Sequence, residues 1–171
     1  MGRHYHTLDH LDACLRELDD AWQLAERPAE VELALWFHDA VYRTWRKDNE
    51  ARSAGLAARC LGAAPADCVE RIRRMILATV HSAEALQGDV ALVVDVDLSI
   101  LGQPADSYAH FERAIRREYW WVPRARYVAG RGGILKSFLQ RETIYRHARF
   151  REKYEQPARA NLERALEQLA G

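Results

Sequence analysis

A chain of 171 residues is long enough to bury one core, and its apolar and charged fractions, 49% and 29%, are those of an ordinary globular protein. Its 25 basic and 25 acidic residues cancel, which argues against dedicated binding of nucleic acid or anionic membranes. No apolar run reaches the length of a membrane span and no signal peptide is visible, and the three cysteines, Cys14, Cys60 and Cys68, lack C-x-x-C spacing. They read as reduced, mostly buried thiols of a cytoplasmic protein.

Nearly every segment has helical periodicity. Leu8, Leu11, Leu15, Leu18 and Trp22 recur at spacings of three and four, which predicts a first helix with this stripe inward and Thr7 or Asp9 at its start. A second helix is expected over "AEVELALWFHDAVY" (29–42) after Pro28. A third covers "DNEARSAGLAARCLG" (48–62), capped by Asp48 or Asn49 and stopped by Gly62. A fourth, "PADCVERIRRMILATVHS" (65–82), carries Val69, Ile72, Ile76 and Val80 on one face.

The segment "DVALVVDVDLSILG" (89–102) fits a strand by alternation and a helix by its other apolar residues. Helix is the better reading, because a lone strand leaves its backbone unpaired. At helical spacing Asp97 falls on the apolar stripe and Asp95 points away from it. Three further helices are expected over 104–122, over 125–147 (weakened by Gly130, Gly132 and Gly133) and over 157–171. No repeat or linker interrupts the chain, so the expectation is one all-α domain, 1–171, of about seven to eight helices.

The chemistry-bearing residues sit in apolar surroundings. His38 and Asp39 interrupt a helix that is otherwise apolar nearly all round, and a buried carboxylate costs several kcal/mol unless paired or bound to metal. An Asp39–arginine pair beside a core histidine is the plain alternative. Neighbours on a helix point about 100° apart, so both reach one ion only from the edge of the face. His6 and His10, spaced i and i+4, share one flank of the first helix, and Asp97 supplies a second carboxylate. Imidazole with carboxylate suits one or two divalent ions among Mn, Fe, Ni, Co, Zn and Mg.

His10, the His38-Asp39 doublet and Asp97 resemble the H…HD…D signature of the HD superfamily of metal-dependent phosphohydrolases. The likeness is closest to a bacterial group of predicted HD phosphohydrolases of unassigned substrate. It extends over "RHYHTLDHL", "WFHDAVY", "DNEARSA", "ATVH", "DVDLSILG", "IRREY", "GRGGILKSFL" and "IYRH", within residues 3–147. The resemblance implies a helical HD fold and hydrolysis of a phosphoester, a nucleotide or small phosphorylated metabolite, with His10, His38, Asp39 and Asp97 as metal ligands. Tyr5, His6 and His10 also resemble the opening of cyclic-nucleotide phosphodiesterases, which implies that His6 is the general acid.

In that scheme water activated by the metal attacks phosphorus, Asp39 or Asp97 accepts a proton and His6 protonates the leaving group. His81, Glu50 and Asp95 are candidates for a second metal or for support of the ligands, and Ser53 for support. Arg131, Lys136 and Arg141 are candidates for substrate phosphate. "GRGG" could turn backbone N–H groups to phosphate at a helix start, with a helix break among surface arginines as the alternative. Two of the rings of Tyr119, Trp120 and Trp121 are expected in the core and the third in a homodimer contact. The other class of reading is a non-catalytic HD-like sensor or scaffold that holds a metal or nucleotide. The first candidate residue follows Met1 so closely that a helix preceding it is expected to be missing from this version of the chain.

Overall fold

The computed structural model describes residues 2–81 and 86–170, and among them all regular structure is helical. The eight α-helices are α1 (Leu8–Ala21), α2 (Pro28–Phe37), α3 (Asn49–Cys60), α4 (Ala66–Ala78), α5 (Gly88–Asp97), α6 (Ala105–Glu118), α7 (Arg124–Leu139) and α8 (Ala148–Ala170). The expected all-α class holds, and the ambiguous segment 89–102 is helical: α5, then a 3-10 turn, Leu98–Gly102. Their packing gathers into two compact units, one of residues 6–97 and one joining residues 2–5 to 98–170.

The first unit is built on α2 and α5, whose apolar residues lie all round rather than on one face, and such helices are buried. Helices α2, α4 and α5 pack on one another, and Val31, Ala34 and Leu35 of α2, Ile72, Met75 and Ile76 of α4 and Leu92, Val93 and Val96 of α5 are buried. Each fully buried Leu or Ile contributes about 1.5–3 kcal/mol. In α1 the buried stripe is His10, Cys14, Leu18 and Ala21; of the predicted row Leu18 is buried, Leu11 and Leu15 are half-buried, and Leu8 and Trp22 are exposed. The polar His10 takes the innermost line because it faces α2 and α5. Val80 of the predicted α4 face lies past the helix end and is exposed, and Met75 takes its place in the core. Ser82, the expected end of α4, lies outside the described residues.

Thr7 caps α1 by accepting from the Asp9 N–H at 3.3 Å. Asp48 precedes α3 but makes no cap bond; it accepts from Arg46 and Arg52 instead. Helix α2 ends at Phe37, earlier than its apolar run suggests.

In the second unit the 3-10 turn lies against α8. A Cβ on Gly102 would stand 2.6 Å from the Tyr154 Cβ and 2.8 Å from its carbonyl oxygen, so only glycine fits this crossing. The Asn161 amide donates to the Leu101 and Gln103 carbonyls at 2.9 and 2.8 Å, and the Tyr145 hydroxyl donates to the Leu98 carbonyl at 3.0 Å. Buried Glu118 of α6 accepts from the backbone N–H groups of His4 and Tyr5 at 2.7 and 2.8 Å, tying down residues 2–5.

Three sequence expectations change here. Helix α8 begins at Ala148 and runs through Pro157, the residue expected to open it. Gly130, Gly132 and Gly133 lie inside α7, so the "GRGG" N–H groups face along the helix and do not open one. Trp120 and Trp121 are both exposed, so neither fills a core. Of the cysteines only Cys14 is buried; Cys60 is exposed and Cys68 half-buried, and all three are free thiols. No helix among the described residues is long and apolar enough to cross a membrane.

Candidate metal centre

His38 does not sit inside a helix; it is the C-terminal cap of α2. Its N–H bonds back to the Ala34 carbonyl at 2.9 Å, and its Nδ1 lies 2.6 Å from the Leu35 carbonyl oxygen. A carbonyl only accepts, so Nδ1 carries the proton. Neutral His38 therefore presents a lone pair on Nε2, the tautomer that binds a metal. Ending the helix here also frees the next residue, so Asp39 turns its carboxylate back to the same point.

Three elements converge there. The His10 Nε2 lies 3.2 Å from the His38 Nε2, 3.1 Å from Asp97 Oδ1 and 3.7 Å from Asp39 Oδ2. The His38 Nε2 lies 3.1 Å from Asp39 Oδ2 and 3.5 Å from Asp97 Oδ1. Donors bound to one cation at about 2.1 Å stand roughly 3.0 Å apart in an octahedron and about 3.4 Å apart in a tetrahedron. Four of the five separations, 3.1–3.5 Å, are close to those edges, and the His10–Asp39 separation of 3.7 Å is longer. The donor set also fits by charge, since two carboxylates offset a divalent ion. The imidazoles are nearly enclosed, whereas the Asp39 side chain is 24% exposed and marks the open edge.

Electrostatics tie the group together. Burial opposes charge on His38, but Asp39 and Asp97 outweigh it and raise its pKa well above the usual histidine value. Burial likewise pushes the two carboxyls up. Hydrogen bonds from His10 and His38 hold Asp97 well below the ordinary range, and His38 holds Asp39 below it. The ion-pair partners of Asp97 are the imidazoles of His10, His38 and His81.

The second oxygen of Asp97, Oδ2, is 3.1 Å from the His81 Nε2. His81 holds this position with a φ of 59°, a left-handed conformation that a residue with a Cβ adopts at a cost of about 1–3 kcal/mol. His6 precedes α1 instead of lying on it. Its ring stacks on Tyr42 at 3.7 Å between centroids and stands edge-on to His10 at 6.3 Å, beside the exposed Asp39.

The other expected residues have these surroundings. Asp95 does not point away from the apolar side; it is wholly buried in α5. Glu50 occupies the first turn of α3. Its neighbours carry the role of the "DNEARSA" stretch: the Asn49 side chain accepts from the Arg43 N–H and donates to the Arg43 carbonyl, both at 3.0 Å. The Ser53 hydroxyl bridges the N–H and carbonyl of Val41. Together they fasten the loop that follows His38 and Asp39. In the second unit, the Arg131 guanidinium is committed to both oxygens of Glu112, and Arg141 lies over the Phe138 ring at 4.2 Å. Lys136 is exposed on α7.

One participant was not singled out from sequence. Cys14, one turn beyond His10, brings its Sγ to 3.7 Å from the His10 Nε2, and donor atoms of His10, Cys14, His38 and Asp97 all lie within 4.8 Å of one another. The i, i+4 spacing from His10 is the signal that identifies it. Burial, with the charges of Asp97 and Asp39, keeps it a thiol, so it lines the cluster as a soft wall. The donor atoms of this buried cluster lie close enough together to share one metal ion. No family model, curated protein or solved structure matches the chain.

Proposed function

We propose that this protein is a metal-dependent phosphohydrolase in which His10, His38, Asp39 and Asp97 hold a divalent cation and a phosphoester is hydrolysed at the edge marked by Asp39. The observation that carries the reading is the convergence of two imidazole nitrogens and two carboxylate oxygens, with the His38 tautomer set by the Leu35 carbonyl. The HD-type residue pattern supports the same reaction class. A bound cation supplies electrophilic activation of a phosphoryl oxygen and of water at neutral pH.

The chain's own residues do the rest. Leu35 orients His38, and His81 occupies the second oxygen of Asp97, leaving Oδ1 turned to the imidazoles. Asp39, the more exposed carboxylate, accepts the proton released by attacking water. His6, held flat against Tyr42, donates a proton to the leaving alkoxide; such general acid help is worth about 10²–10⁴-fold.

The test is turnover of p-nitrophenyl phosphate, its bis ester and a panel of nucleotides with Mn, Co, Ni or Mg. Hydrolysis of a phosphoester that disappears on chelation and returns with metal is expected. Metal binding without turnover of any ester would replace the enzyme with a sensor or scaffold that uses the same cluster.

A further inference from the structure

Helices α6, α7 and α8 enclose a second feature that shares no residue with the histidine cluster. It is a cleft of about 460 Å³, lined by Glu112, Arg113 and Arg116 of α6, Arg124 of α7 and Gln168 of α8, with apolar residues such as Val128 and Leu169 between them. Ligand pockets run from roughly 300 to 1,000 Å³ and pair an apolar body with a few convergent polar groups.

The charge around it is one-sided in a chain that is neutral overall. Residues 112–131 contain six arginines and two glutamates. Both glutamates are spoken for: Glu112 by Arg131, which grips both of its oxygens, and Glu118 by the backbone of His4 and Tyr5. Arg113 and Arg124 have no acidic partner among the described residues. Arg116 is fixed in place: it donates to the Tyr119 carbonyl at 2.6 Å and lies 4.6 Å above the Tyr127 ring. The first turn of α7 adds to the imbalance. It has no acidic residue and no side-chain cap, and its positive dipole end carries Arg124. An anion is what this arrangement lacks.

We infer that the cleft between α6, α7 and α8 binds a small organic phosphate, with Arg113, Arg116 and Arg124 around the phosphate and the apolar residues against the organic group. Guanidinium suits phosphate through paired N–H donors. The ligand is a small molecule, because the apolar lining suits an organic body of limited size and the open arginines flank one cleft.

Calorimetric titration of the full chain at low salt, with AMP and inorganic phosphate as probes, tests this. AMP should bind, and more tightly than inorganic phosphate. Arg113→Glu/Arg124→Glu, at two exposed positions, should weaken AMP at least tenfold while leaving the melting temperature and metal content unchanged. Absence of AMP binding, or affinity unaltered by the double substitution, overturns the site. Equal affinity for AMP and phosphate overturns the organic ligand. Capture by phosphatidylglycerol vesicles without binding of AMP assigns the arginines to a lipid surface and overturns the small-molecule proposal.

Discussion

The Nδ1 of His38 stands 2.6 Å from the carbonyl oxygen of Leu35, three residues earlier in the chain. That one bond decides which nitrogen of His38 faces His10, Asp39 and Asp97. It also fixes the ring's direction, since both partners belong to the last turn of α2. A backbone carbonyl cannot be mutated away, so the dependence is read through the ring: His38→Gln retains bulk but loses the second nitrogen of the pair. Metal content should fall below a tenth of wild type by elemental analysis, with the helical spectrum retained.

His6 and Asp39 should separate chemistry from binding. His6→Ala leaves the four proposed metal ligands in place, so metal content should be unchanged while turnover drops about 10²–10⁴-fold. Asp39→Ala should remove both. Steady-state kinetics beside metal analysis distinguishes the two variants, and loss of metal in His6→Ala would move His6 into the ligand set.

The His81 Nε2 lies 3.1 Å from Asp97 Oδ2, so on the proposed reading it supports the cation through Asp97. Outer partners of this kind are worth about 10–100-fold in metal affinity. His81→Ala should weaken binding by that amount, measured by competition with a chelating dye. His81→Asn, a residue that tolerates the left-handed backbone and can still hydrogen-bond, should recover part of it. Equal affinity in both variants and wild type would reduce His81 to a bystander.

The metal-free protein should have an inverted pH response. The pKa of His38 is raised on folding, so its contribution is complete below about pH 6.5 and is lost as pH rises through the folded value. Those of Asp97 and Asp39 are lowered, so theirs is present above about pH 4 and is lost as pH falls through their folded values. Chelated protein should therefore melt highest between these limits. With metal the sign above pH 6.5 reverses, because the ligands must be deprotonated to bind. Melting curves with and without chelator check both directions.

Glycines of the second unit should respond oppositely. A Cβ on Gly130 or Gly133 meets nothing within 4 Å, and both lie inside α7, so each change to alanine should stabilise by about 0.5–1 kcal/mol. Gly102→Ala drives a methyl into the Tyr154 backbone and should cost about 1–3 kcal/mol. Denaturant midpoints are sufficient to see either.

Much of this was legible in the residues, for identifiable reasons. Period and composition disclosed an all-α chain of about seven to eight helices, and burial logic disclosed His38, Asp39 and Asp97, since ionisable groups in apolar segments demand partners. What stayed hidden depends on where helices stop and what they face. The end of α2 at Phe37 is a local backbone event that an unbroken apolar run conceals, and the inward line of α1 runs through His10 and Cys14 because tertiary neighbours outrank leucine periodicity. Asn49 reads as a helix cap and Ser53 as support for the ligands, but that both clamp the loop after Asp39 is something no spacing reveals. Pro157 looked like a beginning because proline suits first turns, whereas α8 carries it inside.

The most direct measurement is the metal content of purified protein, by elemental analysis, beside that of Asp97→Ala. At least one divalent ion per wild-type chain and less than a tenth of that in the variant is the expected result. A wild-type protein that takes up no divalent ion, or an Asp97→Ala protein that keeps its full complement, would contradict a cation held jointly by α1, the end of α2 and α5.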